Sequence, residues 1–268
     1  MSENLDLKGV KSLINDHDLI YIDIWGVVHN GIKLYEDAIN VLDNIFQLNK
    51  EYILLTNAPR PNKTVKNFLS KMGLDKNHCD KVYTSGEAAL KYLEKNLGNL
   101  KFFHIGPPKD FDLFLSFKKN KTEDIKECDF LLCTGLFEDY VNNLDYYKTL
   151  FSKNIKSKMI CTNPDLIVDR GDARELCAGS VAKIYEEAGG KVDYFGKPYP
   201  LVYNLSANIN NKKILCIGDN LNTDIKGANM QNFKSLFITG GIHKNENLNK
   251  LLKLHKVKAD YTQTLLKW

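Results

Sequence analysis

The sequence predicts an α/β protein built on a doubly wound parallel sheet, with a second α/β domain inserted into the first. Short apolar runs alternate with segments of helical periodicity along nearly all of the 268 residues. Such alternation is typical of a parallel sheet with helices on both faces. The composition, 43% hydrophobic and 26% charged residues, is that of an ordinary globular protein with one large domain or two modest ones.

The first part of the chain carries clear boundary signals. Asp23 ends the first apolar run, Pro61 suits the first turn of a helix, and Gly73 stops that helix after Met72. Helical spacing connects the apolar residues between Ala38 and Leu48. The predicted elements are a strand at 19–23, a helix at 38–48, a strand at 51–55, a helix at 61–72 and a strand at 81–84.

The middle of the chain continues the alternation but holds a single loop of candidate site residues, so we predict that residues 86–177 form the inserted domain and that residues 1–85 and 178–268 form the other. Glycines 189 and 190 close a helix that begins near Cys177. The predicted elements are helices at 87–97, 141–155 and 177–188, strands at 101–105, 130–134, 159–162, 192–195, 214–217 and 235–238, and a lysine-rich loop at 118–126.

Charge and composition exclude several classes of protein. The net charge of +4 is small and scattered, which argues against a nucleic-acid partner. No stretch approaches the roughly 20 apolar residues that cross a bilayer, so we expect no membrane partner. The six cysteines form no CxxC pair, and the first residues lack an apolar signal core. These features predict a cytoplasmic protein with reduced thiols.

Four short polar segments follow predicted strands, and in a doubly wound sheet such segments converge on one crevice. They would bring together three carboxylates, a lysine and a hydroxyl. Clustered carboxylates need a cation between them, and hard oxygen ligands favour Mg²⁺. Together with donors for an anion, they are suited to phosphoryl transfer through an aspartyl-phosphate. The residues concerned are Asp23, Thr56, Lys197, Asp219 and Asp224.

This set resembles the haloacid dehalogenase-like (HAD) phosphohydrolases, and in particular their subclass IIA with a large inserted cap. The segments TNPDLIVDRGD, CAGS and FGKPYP are similar to that subclass and occur in its order, so the resemblance covers nearly the whole chain. It implies a Rossmann-like core, an α/β cap domain, and a Mg²⁺-dependent phosphatase acting on a small phosphorylated metabolite. Sugar phosphates, glycerol phosphate, pyridoxal phosphate and nucleotides are all compatible substrates. A homodimer formed through the cap is also compatible with the resemblance.

The resemblance also assigns roles. It implies Asp23 as the nucleophile, Lys197 as the group that neutralises charge, and Thr56 as a ligand of the phosphoryl oxygens. The implied metal ligands are Asp23, the backbone carbonyl of Trp25, and Asp219, with Asp224 holding a metal-bound water or orienting Lys197. The remaining implied substrate contacts are the backbone amides of Asn57 and Ala58 for the phosphate, Arg60 for a second anionic group, and Asn163 and Asp165 for hydroxyls. Each residue alone also fits a plain turn or helix cap.

Trp25 departs from the usual pattern, because most phosphatases of this superfamily carry an acid–base aspartate there. Indole offers an N–H but exchanges no proton near neutral pH. One branch of the subclass shares this D-x-W-G-V form. Three consequences stay open: a preference for good leaving groups, replacement of the missing acid by His29, or slow turnover. In the last case the chain is a catalytically weak protein that binds phosphate esters and has a regulatory role.

Overall fold

The structure, a computed structural model, describes residues 2–155, 158–170, 173–244 and 246–268. Residues 171 and 172 of the TNPDLIVDRGD segment lie outside the described residues. The strands, in chain order, are β1 (Glu3–Asn4), β2 (Leu19–Ile22), β3 (Glu51–Thr56), β4 (Val82–Thr84), β5 (Phe102–Ile105), β6 (Lys121–Thr122), β7 (Phe130–Cys133), β8 (Lys158–Cys161), β9 (Ile167–Arg170), β10 (Ala173–Leu176), β11 (Val192–Tyr194), β12 (Ile214–Gly218), β13 (Lys234–Ile238) and β14 (Tyr261–Gln263).

Helices connect most of these strands. They are α1 (Lys11–Asn15), α2 (Glu36–Gln47), α3 (Asn62–Lys71), α4 (Lys76–Cys79), α5 (Ser85–Asn96), α6 (Leu144–Ser152), α7 (Ala178–Glu187), α8 (Pro200–Ser206), α9 (Lys226–Gln231) and α10 (Leu248–His255). Short 3₁₀ segments occupy Pro108–Asn120, Ile125–Glu127 and Glu138–Tyr140, and a π-helical turn, Leu221–Ile225, precedes α9. No helix within the described part of the chain is both long and apolar enough to cross a bilayer.

The first sheet has the order β1-β14-β13-β12-β2-β3-β4, and every pairing in it is parallel. Alternate residues of β2 point to opposite faces: Ile20 and Ile22 pack with α1 and α2, whereas Leu19 and Tyr21 pack with α5 and α8. All four residues of β2 are buried, as expected for a strand covered on both faces. The predicted doubly wound α/β fold is therefore confirmed.

The second sheet has the order β11-β8-β7-β5-β6 and is also parallel. One face of it packs with α6 and α7 through an apolar cluster that includes Leu131 and Met159. The other face packs against α5, through Phe102 and Leu132. Helix α5 therefore lies between the two sheets and joins their cores.

The sheet pairings differ from the predicted domain boundary after residue 177. Strand β11 pairs with β8, with Val192 opposite Met159, and α7 packs on the second sheet. We therefore propose that the inserted segment extends to about Tyr194. Alternating apolar segments predict a strand but not which of two sheets it joins, and this accounts for the difference.

Most predicted strands and helices are present within one to three residues of their expected ends. The lysine-rich stretch at 118–126 is not a plain loop: it contains the short edge strand β6, the end of one 3₁₀ segment and the start of the next. The sequence pattern did not predict the edge strand β1, the short strand β14 beside it, or the antiparallel hairpin of β9 and β10. These strands are short or lie at sheet edges, so they lack the continuous apolar runs that identify β2 or β12.

Candidate functional site

The candidate site lies at the carboxyl ends of the three central strands of the first sheet. Strand β2 pairs with β12 on one side and β3 on the other. Asp23 follows β2, Asp219 follows β12, and Thr56 ends β3. The chain leaves neighbouring strands here toward opposite faces of the sheet, and such a point forms a crevice for ligands.

Lys197, in the segment between β11 and α8, contacts several of the other site residues. Its ammonium lies 2.5 Å from Asp23 Oδ1 and 2.7 Å from Asp224 Oδ1. It also donates to the backbone oxygen of Leu55 at 2.8 Å. These three acceptors use all three donors of the ammonium group. The carboxylates of Asp224 and Asp23 outweigh the effect of burial, which alone would lower the pKa of Lys197, and raise that pKa above its usual value.

Three aspartates face one another beside this lysine. Asp23, Asp219 and Asp224 are buried, and each offers one carboxylate oxygen within 4.8 Å of the others. Burial raises the pKa of Asp23 to about 7, with Lys197 opposing the shift and Asp224 adding to it. Burial and the neighbouring carboxylates likewise raise the pKa of Asp219 well above its usual value. One lysine does not balance three buried carboxylates, so the cluster has an excess of negative charge.

This oxygen donor set fits a hard divalent cation such as Mg²⁺. A cation among the three carboxylates would relieve their mutual repulsion, which adds to the effect of burial on the pKa of Asp23 and of Asp219. The residues able to hold it are Asp23, Asp219 and Asp224. The predicted ligation by the backbone carbonyl of Trp25 stays a prediction.

Glycines allow the backbone to approach the Asp219 carboxylate closely. A Cβ on Gly26, where φ is +84°, would lie 2.1 Å from Asp219 Oδ2, and one on Gly241 would lie 2.0 Å from the same atom. The amide of Ile242 donates to Asp219 Oδ2 at 2.7 Å. The turn after β2 and the loop after β13 are thus both packed onto this carboxylate.

Asn57 connects Lys197 to the inserted segment. Its Oδ1 accepts from the Lys197 amide at 2.7 Å, and its Nδ2 donates to the Lys197 carbonyl at 2.9 Å. The same Nδ2 lies 3.2 Å from Asp165 Oδ1. Asn57 therefore holds the backbone of Lys197 in position through its side-chain amide. The phosphate contact expected of the Asn57 backbone amide stays a prediction.

Asp165 is the carboxylate that the inserted segment contributes to the cleft. Burial raises its pKa to about 6, and the charge of Asp224 adds to the shift, while Lys197 and hydrogen bonds from Asn57 and Thr223 oppose it. Asn163 positions this loop, because its Oδ1 accepts from the amide of Asp165 at 3.0 Å. Asn163 itself is buried and does not line the cleft in the described structure.

The cleft holds a cavity of about 130 Å³. Thr56 lies in its wall, and its hydroxyl accepts from the amide of Ala58 at 3.2 Å. Ala58 itself is not among the described lining residues. The described lining residues that complete the wall around the aspartates and Lys197 are Trp25, Gly26, Asn30, Tyr35, Asn57, Ile167, Val168, Asn220, Thr223, Gly240, Gly241, Ile242 and Lys244.

His29 does not take the place of an acid in this cleft. It is 2% exposed and packs edge-on against Trp25 at 4.9 Å, and it is absent from the described lining. Its Nδ1 accepts from the amide of Gly31 at 2.8 Å. Burial lowers the pKa of His29 to about 4, so the imidazole is neutral at physiological pH. The side chain supports Trp25 rather than reaching a substrate.

Arg60 lies apart from the cleft as well. Its Nη2 lies 2.6 Å from Asp110 Oδ1, in an ion pair with a nearly buried carboxylate. The sequence suggested that Arg60 binds a second anionic group of the substrate, but in the structure its guanidinium is paired with Asp110. Sequence spacing placed Arg60 near Thr56 and gave no sign of Asp110, which is 50 residues further along the chain.

Two parts of the cleft were not predicted from the sequence: the loop after β13 and the wall formed by β9. Gly240 and Gly241 directly after an apolar run were a signal for close backbone approach, and their neighbours Ile242 and Lys244 line the cleft. Ile167 and Val168 gave no such signal, because apolar residues beside a turn are common in any α/β protein.

Two family models match the chain. One, described as haloacid dehalogenase-like hydrolase, matches residues 20–116, and the other, described as HAD-hydrolase-like, matches residues 194–265. Together they cover more than half of the chain. The first match contains Asp23 and Thr56, and the second contains Lys197, Asp219 and Asp224.

Similar proteins cover nearly the full length. Phosphoglycolate phosphatase 2 of Arabidopsis thaliana is 23% identical, over 96% of this chain and 93% of that protein. A haloacid dehalogenase-like family hydrolase from Brucella suis 1330 is 29% identical, with a TM-score of 0.84 over 96% of this chain and 98% of that one. NagD from E. coli K-12 has a TM-score of 0.71 at 20% identity, over 93% and 97% of the two chains, and shows the shared fold.

Proposed function

Because the chain belongs to the haloacid dehalogenase-like hydrolase superfamily and is a phosphohydrolase, we propose that it hydrolyses the phosphomonoester of a small metabolite, with Asp23 as nucleophile and Mg²⁺ as cofactor. The observation that carries this proposal is the contact of Lys197 with both Asp23 and Asp224, beside Asp219. It supplies a nucleophile, a fixed positive charge and a cation site within one buried cluster.

In the first step, a carboxylate oxygen of Asp23 attacks the phosphorus of the ester. The bond from phosphorus to the leaving-group oxygen breaks, and that oxygen takes up a proton. An aspartyl-phosphate forms on Asp23. In the second step, water attacks the phosphorus, gives up a proton, and releases phosphate with the Asp23 carboxylate restored. The two protons balance, so the net change is the addition of one water.

Lys197 keeps the reacting groups charged and in place. Its ammonium, held by Asp224 and the Leu55 carbonyl, stabilises the negative charge that gathers on Asp23 and the transferring phosphoryl group. Asn57 fixes its backbone from both sides. When bound at Asp23, Asp219 and Asp224, Mg²⁺ would offset the repulsion between the anionic carboxylates and the anionic ester.

Neither Trp25 nor His29 supplies the acid–base group that the superfamily usually has at position 25. Trp25 offers no titratable group, and His29 is buried and neutral. General acid–base catalysis typically contributes about 10²–10⁴-fold. We therefore expect the fastest turnover with esters whose leaving groups need little protonation, such as acyl, enol or aryl phosphates.

The size of the cleft supports a small substrate. Its cavity of about 130 Å³ is well below the roughly 300–1,000 Å³ typical of pockets for drug-sized ligands. The similarity to phosphoglycolate phosphatases makes 2-phosphoglycolate one candidate substrate. The names of these relatives give no support to a protein that only binds and regulates.

We also propose that the protein acts in the cytoplasm. The six cysteines are free thiols, and five of them are buried, which supports a reducing compartment. The proposed partner is the small phosphorylated metabolite itself, and a homodimer formed through the inserted segment stays a prediction.

The test is hydrolysis of p-nitrophenyl phosphate with and without Mg²⁺, by the wild type and by Asp23→Asn. The proposal requires metal-dependent release of p-nitrophenolate by the wild type and none by the variant. Circular dichroism of both proteins establishes that the variant is folded. Equal binding of phosphate by both proteins without turnover would support a binding protein instead.

A further inference from the structure

Lys244 lies at the rim of the cleft, on the loop that follows β13. It lines the cavity together with Ile242 and the hairpin residues Ile167 and Val168. Its side chain is exposed, and no carboxylate forms an ion pair with it among the side chains that the structure describes. A lysine without such a partner, placed beside a ligand cavity, is available to a charged ligand.

The acidic cluster holds the backbone of this loop in place. The amide of Ile242 donates to Asp219 Oδ2 at 2.7 Å, and the amide of Lys244 donates to the carbonyl of Gly241 at 3.0 Å. The backbone of Lys244 is thus fixed two residues away from a direct contact with the proposed metal site. The flexible side chain remains free to meet a ligand in the cavity.

The two cations that the sequence suggested for the cleft are already paired. Lys197 uses its three donors on Asp23, Asp224 and the Leu55 carbonyl. Arg60, which the sequence suggested for a second anionic group, is paired with Asp110. Among the described residues that line the cavity, Lys244 is therefore the cation left for such a group.

The cavity also needs such a cation if the substrate carries two anionic groups. In about 130 Å³, a second group lies only a few bonds from the phosphate. Asp23, Asp165 and Asp219 line the same space. Their carboxylates would repel a second anion in the cleft unless a positive charge at the rim compensates.

We propose that Lys244 binds a carboxylate carried by the substrate, so that short phosphomonoesters with a second anionic group are preferred. This inference rests on the proposed function and narrows its substrate class. Lys244 is a specificity residue rather than a catalytic one. Because it would hold the carboxylate equally in the ground state and the transition state, its removal raises KM and leaves kcat unchanged.

The test compares three two-carbon esters that differ in the charge of the leaving group: 2-phosphoglycolate (anionic), ethyl phosphate (neutral) and phosphoethanolamine (cationic). Each is measured both as a substrate and as an inhibitor of p-nitrophenyl phosphate hydrolysis. We expect Lys244→Gln to weaken the binding of 2-phosphoglycolate on the order of fivefold to tenfold, and that of ethyl phosphate less than twofold. Lys244→Glu should shift the preference toward phosphoethanolamine.

Lys250→Gln is the matched control, because it removes the same charge from an exposed lysine of α10 that does not line the cavity. Lys250→Gln should change the binding of each of the three esters by no more than twofold. An equal change for all three esters in Lys244→Gln, or no change, would overturn the inference while the proposed function stands. Absence of p-nitrophenyl phosphate hydrolysis by the wild type would instead contradict the proposed function.

Discussion

Lys197 Nζ lies 2.5 Å from Asp23 Oδ1, although the two residues are 174 positions apart in the chain. The inserted segment lies between them in sequence, so the folded sheet, and not local structure, creates this contact. Both side chains are nearly buried, with exposed fractions of 5% and 11%. The proposed nucleophile and the charge that stabilises it are thus set in place before any substrate enters.

Replacing Lys197 tests how far this contact supports both stability and turnover. In Lys197→Met, two buried carboxylates lose their cation, and we expect the free energy of unfolding to fall by about 3–5 kcal/mol. We expect kcat to fall about 10²–10³-fold. Urea unfolding and steady-state kinetics measure the two effects. Lys213→Met, at an exposed lysine, is the control and should leave the free energy of unfolding and kcat unchanged within error. Wild-type turnover by Lys197→Met would contradict the proposed role of Lys197.

Gly26 tests the close approach of the β2 turn to Asp219. In Gly26→Ala the new Cβ would lie 2.1 Å from Asp219 Oδ2, so the carboxylate must move. We expect weaker Mg²⁺ binding in a titration followed by thermal unfolding, besides the cost of about 1–2 kcal/mol for a side chain at positive φ.

Gly73→Ala is the control for this substitution. Its φ is +97°, and a Cβ there meets nothing within 4 Å, so it carries the backbone cost alone. If both variants bind Mg²⁺ equally well, the packing of Gly26 on Asp219 has no bearing on the metal site.

The raised pKa of Asp165 should make the stability of the fold depend on pH. In the folded protein this pKa is about 6, whereas an unfolded aspartate has a pKa of about 3.9. Between these values the folded state binds more protons than the unfolded state, so stability falls as pH rises through this window. Asp165→Asn removes this titration. Between about pH 5 and pH 7.5, the free energy of unfolding should therefore fall less in the variant than in the wild type, by a difference of about 1–2 kcal/mol.

Urea unfolding in the presence of a chelator measures this slope without a bound metal. Asp139→Asn, at an exposed aspartate of the inserted segment, should keep the wild-type slope. Parallel slopes for the wild type and Asp165→Asn would show that Asp165 carries no raised pKa.

Trp25 tests whether proton transfer limits turnover. In Trp25→Asp a carboxyl group stands where the superfamily usually has its acid–base residue, and we expect kcat for an alkyl phosphate to rise about 10²-fold. The gain for p-nitrophenyl phosphate should be much smaller, because that leaving group needs little protonation. Steady-state kinetics with both esters measure the difference, and an equal gain or no gain would mean that another step limits the wild type.

The central strands and the core of the site could be predicted from sequence because they obey strong local rules. Strands β2 and β12 are continuous apolar runs that each end in an aspartate, and parallel strands bring such ends together. The structure accordingly brings Asp23, Lys197, Asp219 and Asp224 into one cluster.

The roles of Asn57, Arg60 and His29 could not be predicted, because each depends on a partner that is distant in sequence or on burial. Asn57 meets Lys197 across 140 positions, and Arg60 meets Asp110. His29 looked like a titratable loop residue but is covered by Trp25 and Phe68. The place of Lys244 could not be predicted for the same reason: only the fold brings the loop after β13 and β9 to one cavity.

The most direct test of the account is to trap the enzyme during turnover. The protein is mixed with Mg²⁺ and excess p-nitrophenyl phosphate, quenched with acid, digested, and examined by mass spectrometry. The account predicts a peptide that contains Asp23 and carries the mass of one added phosphoryl group, absent from Asp23→Asn. Steady turnover by the wild type with no phosphorylated peptide, or with the label on another residue, would contradict it.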